Sequence, residues 1–417
     1  MIFFDTEQIY PEHHRQVIDL VCLTDIVQKK DVKVGSMEPN KKIADNLRNA
    51  LNAIKVMVNE GNISRTKEFI GLFGEMRIFY HKYWNIITEQ AYAEMLTLLK
   101  DPADVMIAAA MDSECRLLGE AALKFYETAT LLNPINYSSA SVASYHRKNG
   151  NIGKAREICR EIEARRPGDQ DALSEWLMCD ISDRFWPLDY YDVLAEIHNK
   201  WAPKIYIEIG VATGKSLALT RSVTRSLGID PETAEHGLLC FKSPENNPQL
   251  YKMTSDDFFS SKNVIGEMGL PNFDIAFIDG LHHFDQVLRD FINLEKIAGK
   301  NSVILVHDCL PINDQVASRD RTTGFWTGDV WKLIPCLMAV RPDLEITTLP
   351  VAPSGMALIR NLDSTSGILD RQYNHIVEHF DSLHLPDNWG DCCKMLNVLM
   401  DQSAFDLSAF LPSEGWQ

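Results

Sequence analysis

The chain has 417 residues, of which 45% are hydrophobic and 24% charged. That is enough for two or three domains with buried cores, and too apolar for a disordered chain. A formal net charge of −17 argues against non-specific binding to nucleic acid or to an anionic membrane, since both need a basic face. Nine cysteines, scattered apart from the adjacent Cys392 and Cys393 and without a CxxC pair, suit a reducing compartment and give no zinc or disulfide framework. There is no run of about 18 apolar residues, and Met1-Ile-Phe-Phe-Asp5 is too short for a signal peptide. The expectation is a cytoplasmic protein with neither membrane nor nucleic acid among its partners.

Residues 1–100 read as a helical region. Apolar residues recur at helical spacing over 43–58 and 66–99, with Gly61-Asn62 as the break between them. In residues 101–185 a repeat follows. The segment 118–134 aligns with 152–167, placing Gly119 on Gly153 and Ala121 on Ala155, 34 residues on, and Pro134 on Pro167. Small residues where paired helices touch, with a proline closing the second helix, resemble tetratricopeptide repeats. Two copies fall short of the three that stacked repeats usually need, so the earlier helices or the next domain would cap them. A plain helical bundle is the alternative. The resemblance to such repeats implies a protein or peptide partner.

Near Trp186-Pro187 the pattern changes. Apolar runs at 205–210, 226–230, 250–254, 273–279, 302–307, 345–349 and 356–360 alternate with helical stretches such as 284–298 and 329–340. Continuous apolar strands joined by helices predict a doubly wound parallel sheet in an α/β domain over 190–362. Between the last two runs only 350–355 intervene, too few for a crossover helix, so that pair should be antiparallel. Residues 363–417 read as a helical tail that covers the sheet or a partner subunit in a homodimer.

Ligands of such sheets bind beyond the carboxyl ends of the strands. The first strand delivers Glu208 and Gly210 there and should open through a Gly-containing turn into a helix. Gly210 and Gly214 would let the backbone turn tightly against a ligand. The pattern Glu-x-Gly-x-x-x-Gly is not the dinucleotide Gly-x-Gly-x-x-Gly, and Lys215-Ser216 follows glycines too closely spaced for a P-loop. The second strand ends at Asp230, which could accept hydrogen bonds from ribose hydroxyls. After the third strand come Ser255 and Asp256, which could meet an adenine edge.

Tyr206-Ile-Glu-Ile-Gly-Val-Ala-Thr-Gly-Lys-Ser216, Gly228-Ile-Asp-Pro231, Ser255-Asp-Asp-Phe-Phe259, Phe277-Ile-Asp-Gly-Leu-His282 and Val306-His-Asp308 together resemble class I S-adenosylmethionine-dependent methyltransferases. The resemblance is to the branch of bacterial O-methyltransferases of sugars and macrolides, and it covers about residues 190–362. It implies a Rossmann-like seven-stranded fold with S-adenosylmethionine as cofactor. The cofactor-binding set it implies is Glu208, Gly210, Ala212, Thr213, Gly214, Ser216, Asp230, Ser255, Asp256 and Asp279. In that branch and in catechol-type relatives, the positions of Asp279 and His282 are a metal-binding aspartate and a general base. A histidine suits the second role because its pKa lies near the working pH. Hydrogen bonding to the cofactor or capping of the following helix are the plainer roles for His282.

The resemblance extends a metal role to Asp308, whose neighbours here are His307 and Cys309 where relatives often carry Glu, Asp or Asn. Two carboxylates plus waters would suit Mg2+, whereas His307 would turn the site toward a transition metal. The expected metal set is thus Asp279, Asp308 and His307. In the segment 319–331, two arginines, aromatics and two glycines suggest a loop that orders over the acceptor, with Trp326 or Trp331 stacking on it; core tryptophans are the alternative reading. His375 and His379, four apart, read as part of an ordinary amphipathic helix. The expected activity is methylation of a hydroxyl on a sugar, glycoside or natural product. The alternatives are an iron enzyme resembling cephalosporin hydroxylase on the same fold, and a tetratricopeptide scaffold with an inactive cofactor domain.

Overall fold

Among the described residues helices come first: α1 (Ile63–Trp84), α2 (Glu89–Leu98), α3 (Pro102–Cys115), α4 (Gly119–Leu132), α5 (Ala140–Lys148), α6 (Ile152–Arg165) and α7 (Gln170–Arg184). The structure, a computed structural model, describes residues 51, 63–84, 89–99, 101–115, 119–133, 139–232 and 241–411, all within one compact unit. The expected 66–99 helix is divided between α1 and α2. The expected 43–58 helix, apart from Leu51, and the break at 61–62 lie outside the described residues.

Helix α3 packs on α4, and α5 on α6. Helices α4 and α6 bury residues at matching positions. Ala122, Tyr126 and Ala129 in α4 correspond to Ala155, Cys159 and Ile162 in α6, all buried and each pair 33 residues apart. Pro134 and Pro167 keep that offset. That offset is one residue shorter than the expected pairing of Gly119 with Gly153 and Ala121 with Ala155; Ala122 is buried and Ala121 half-buried. Local sequence starts these helices. The Asn151 side chain accepts from Lys154 N at α6, and that of Asp169 from Ala172 N at α7.

The second half contains β1 (Trp186–Asp189), α8 (Tyr190–Lys200), β2 (Ile205–Ile209), β3 (Arg225–Ile229), β4 (Gln249–Tyr251), α9 (Ser255–Ser261), α10 (Val264–Met268), β5 (Phe273–Ile278), α11 (Phe284–Glu295) and β6 (Ala298–His307). It continues with α12 (Leu333–Val340), β7 (Glu345–Leu349), β8 (Val351–Ala352), β9 (Met356–Arg360), α13 (Ile368–Asp381) and α14 (Trp389–Met395). One sheet has seven strands in the order β4-β3-β2-β5-β6-β9-β7. Strand β9 runs antiparallel to β6 and β7, and the remaining pairs are parallel. The expected doubly wound sheet and its antiparallel closing pair are thus present. Strands β2 and β5 are buried at every position, which is why they read as unbroken apolar runs. Helix α11 presents Phe284, Val287, Leu288, Phe291, Ile292 and Leu294 to the core, the spacing of one helical face.

Two features differ from expectation. No helix follows the turn after β2. A single 3-10 turn, Leu217–Leu219, stands there and Thr220 is already extended. The backbone is held by side chains instead. Ser243 donates to Thr220 O, and the Asn246 amide reaches Thr220 Oγ1, Thr224 O and Ser226 Oγ. The second difference is a small parallel sheet of β1 and β8, which ties the junction at Trp186 to the loop between β7 and β9.

Candidate active site at the carboxyl edge of the sheet

The candidate site lies where β2, β3, β5 and β6 end. Strand pairing fixes its floor, since Glu208 sits opposite Gly228 on one side and Phe277 on the other. Gly210 has φ +87, and a Cβ there would lie 1.9 Å from Asp279 O. Only glycine allows the two strand ends to meet. They are joined by Asp279 N donating to Ile209 O at 2.8 Å.

On the β2–β3 side the acids are engaged by their own chain. Glu208 is fully buried and accepts from Tyr206 Oη and Ser216 Oγ, both at 2.7 Å. Burial pushes its carboxyl up to about 8, against the pull of those two hydroxyls. One Asp230 oxygen accepts from Val211 N and Ala212 N, both at 2.8 Å, and the other from Glu232 N at 2.7 Å. Asp230 thereby holds the 210–214 turn, in which Ala212 has a positive φ of 43°. A carboxylate offers about four acceptor positions, so Asp230 keeps capacity for a ligand. Thr213 accepts from Phe241 N. Ser255 donates to buried Asp290 at 2.6 Å, and Gln286 bridges Ser255, Asp256 and Asp290. Burial holds Asp290 up at about 6, above the usual carboxylate range.

The β5–β6 side is different. Asp279 and His282 follow β5, and His307 ends β6, followed by Asp308. The Asp308 backbone has φ +59, a left-handed conformation that a short polar side chain tolerates. His307 Nδ1 lies 3.0 Å from Asp279 Oδ1 and 3.6 Å from Asp308 Oδ1. His282 Nε2 lies 3.1 Å from Asp308 Oδ2 and 3.8 Å from Asp279 Oδ1. His307 and Asp308 are closed off, with side chains 7% and 6% exposed, whereas His282 and Asp279 are 25% and 20% exposed. Access is therefore from the His282 and Asp279 side. Burial works against a charge on His307, but Asp279 and Asp308 outweigh it and hold the ring up at about 9. Burial likewise works against ionised Asp279, yet the two histidines keep its pKa below the ordinary value. For Asp308 burial wins and its pKa is raised.

His282 is firmly oriented. Its Nδ1 faces Trp326 O at 3.2 Å, and its ring stacks on that of Trp326 with centroids 5.1 Å apart. A nitrogen facing a carbonyl must carry the proton, so Nδ1 donates there, and Nε2 is aimed into the site toward Asp308 Oδ2. The main chain is held too. Asp329 N donates to His282 O, Phe284 N donates to Asp329 Oδ1, and a Cβ on Gly328 (φ +62) would fall 1.8 Å from His282 O. Trp326 thus stands beside the site, whereas Trp331 is a buried core residue. The expected acceptor loop is pinned in place: Arg319 pairs with Asp285 at 2.7 Å, and Arg321 bonds Gly324 O at 3.0 Å. His375 and His379 lie exposed on α13, as an amphipathic helix requires.

Three site residues carry no motif in the sequence. Tyr190 packs its ring at a tilt against that of His307, with centroids 3.9 Å apart. Ser354, fully buried, donates to Asp308 Oδ1 and lies 3.2 Å from His307 Nε2. Asp290 organises Ser255. Only the Pro353-Ser354-Gly355 turn signal could have pointed to one of them. The donor atoms of Asp279, His307 and Asp308 all lie within 4.8 Å of one another, so the residues present fit a divalent cation.

Residues 207–309 match a family model described as a methyltransferase domain. The matched span runs from β2 to just past β6 and includes Glu208, Asp230, Asp279, His282, His307 and Asp308. No curated protein matches the chain. Among solved structures it is similar to an O-methyltransferase from Bacillus cereus in complex with S-adenosylhomocysteine, with 15% identity, 50% of this chain and 98% of that one covered, and a TM-score of 0.30. It is similar to a Podospora anserina methyltransferase bound to S-adenosylhomocysteine, with 16% identity, 50% and 96% covered, and a TM-score of 0.32. It is also similar to an O-methyltransferase from Streptomyces achromogenes involved in tomaymycin synthesis, with 16% identity, 41% and 78% covered, and a TM-score of 0.28. Among the described residues, no helix is long and apolar enough to cross a membrane.

Proposed function

We propose that the chain is an S-adenosylmethionine-dependent O-methyltransferase acting on a hydroxyl of a sugar or natural-product acceptor. The observation that carries this reading is the contact of Gly210 with the Asp279 backbone. It brings the glycine turn and the His282–Asp308 pair to one stretch of the sheet edge, inside the matched domain. The cofactor is received by Glu208, Gly210, Ala212, Thr213, Gly214, Ser216 and Asp230 on the methionine and ribose side, by Ser255 and Asp256 at the adenine, and by Asp279 between the two halves.

Methyl transfer is an in-line displacement, and the sulfonium is already a good leaving group, so alignment and proton removal are what the protein must supply. The acceptor oxygen attacks the methyl carbon as the carbon–sulfur bond breaks, giving S-adenosylhomocysteine. His282 Nε2 takes the hydroxyl proton. The Asp308 carboxylate then faces the imidazolium, and the Trp326 carbonyl holds the ring in that orientation. When bound by Asp279, His307 and Asp308, a divalent cation supplies a lower pKa for the attacking hydroxyl. The helical repeats over 101–185, with their 33-residue register, fit a tetratricopeptide-like region that recruits or shapes the acceptor.

The test is methyl transfer from isotopically labelled S-adenosylmethionine to a panel of glycosides and phenols, with the wild type and His282→Ala. The expected result is label in one acceptor class, with turnover at least about 100-fold lower in the variant and unchanged cofactor affinity. Near-normal turnover in His282→Ala would remove this residue as the base.

A further inference from the structure

His307 and Ser354 form a relay whose hydrogens can be counted. Ser354 has one hydroxyl hydrogen, and Asp308 Oδ1 receives it. Its oxygen lone pairs are then what faces His307 Nε2 at 3.2 Å, so Nε2 carries a hydrogen. The other nitrogen, Nδ1, points between Asp279 Oδ1 and Asp308 Oδ1. With Nε2 protonated, the 3.0 Å gap between Nδ1 and Asp279 Oδ1 is bridged either by a second ring proton or by a cation that takes the Nδ1 lone pair. The donors meeting there are one imidazole nitrogen and two carboxylates. A hard cation such as Mg2+ prefers oxygen throughout, whereas an imidazole donor favours first-row transition ions.

We propose that this chain holds a divalent transition-metal ion in preference to Mg2+, through His307 Nδ1, Asp279 and Asp308, and that Ser354 is the positioning residue that fixes the His307 tautomer. The inference rests on the divalent-cation part of the methyltransferase reading. The site is built for it. His307, Asp308 and Ser354 are all buried, and Ser354 reaches the cluster because Leu310 N donates to Ser354 O at 2.7 Å. Tyr190 closes the far face of the His307 ring. Hydrogen bonding of a ligand's second nitrogen is the usual way in which a metal-binding histidine is oriented.

The experiment uses the purified full-length chain, stripped with chelator. MnCl2, CoCl2 and MgCl2 are each titrated by calorimetry, and the visible absorption of the Co2+ complex is recorded. The wild type should bind Mn2+ and Co2+ at least ~100-fold more tightly than Mg2+. His307→Asp should reduce that preference to about tenfold or less and change the Co2+ spectrum. Ser354→Ala should weaken Co2+ binding by ~10-fold or more, and Ser354→Thr, which keeps the hydroxyl, should restore it. Equal affinity for Mg2+ and Co2+ in the wild type would overturn the proposal, as would no cation binding, in which case a proton fills the gap as an imidazolium. Wild-type Co2+ affinity in Ser354→Ala would remove Ser354. If Ser354→Ala does not fold, the wild-type preference and His307→Asp still decide. S-adenosylmethionine affinity and labelled-methyl transfer, measured on the same samples, separate a failure of this inference from a failure of the methyltransferase reading.

Discussion

Four buried or half-buried acids end strands on the same edge of one sheet, yet they divide into two kinds. Glu208 and Asp230 are occupied mainly by donors from β2 and the turn after it, two hydroxyls for the first and, for the second, three backbone N–H groups of which Glu232 N alone comes from its own loop. Asp279 and Asp308 instead face the nitrogens of His282 and His307. Motif and position mark all four alike as an acid at a strand end. What separates them is which groups the neighbouring strand ends and turns bring to each. The first pair organises a turn that can receive a ligand, and the second keeps polarisable, titratable partners for chemistry.

The sharpest way to break this division is at its hinge. Gly210→Ala would force a Cβ to within 1.9 Å of Asp279 O at a φ of +87. Urea unfolding should show a loss of about 3 kcal/mol, and cofactor binding should disappear with it. A variant of normal stability that still binds cofactor would mean the two halves are not coupled through this contact.

Glu208→Gln probes the β2–β3 side through the pH dependence of stability. The folded pKa of about 8 lies above the ordinary 4.5, so between those values the folded protein holds a proton that the unfolded chain gives up. The stability this contributes is fully present below about pH 4.5 and is lost as pH rises through about 8. The neutral amide removes that dependence. Relative to wild type, Glu208→Gln should gain stability from pH 5 to pH 8 in parallel unfolding curves. An unchanged difference across that range would show that Glu208 is ionised throughout.

The sheet was legible because its strands are continuous apolar runs with turn residues between them, and because 350–355 leaves no room for a crossover. Glu208, Asp230, Asp279, His282 and Asp308 were legible because each sits within a few residues of a strand end. Other parts depend on distant partners. The 3-10 turn after β2 replaces a helix because Ser243 and Asn246, more than twenty residues on, take over its hydrogen bonds. Ser354 and Tyr190 reach His307 only through the β1–β8 pairing and the Leu310 N to Ser354 O bond. Identity at Gly119 and Gly153 suggests an offset of 34 residues, whereas burial at Ala122 and Ala155 follows one of 33, which only the packed helices reveal.

A cofactor site for S-adenosylmethionine beside an oriented base requires that the chain bind that molecule and its product, which titration calorimetry with S-adenosylmethionine and S-adenosylhomocysteine measures. One site per chain is expected, with Kd on the order of 10 μM or tighter for both. A folded sample that binds neither would contradict it.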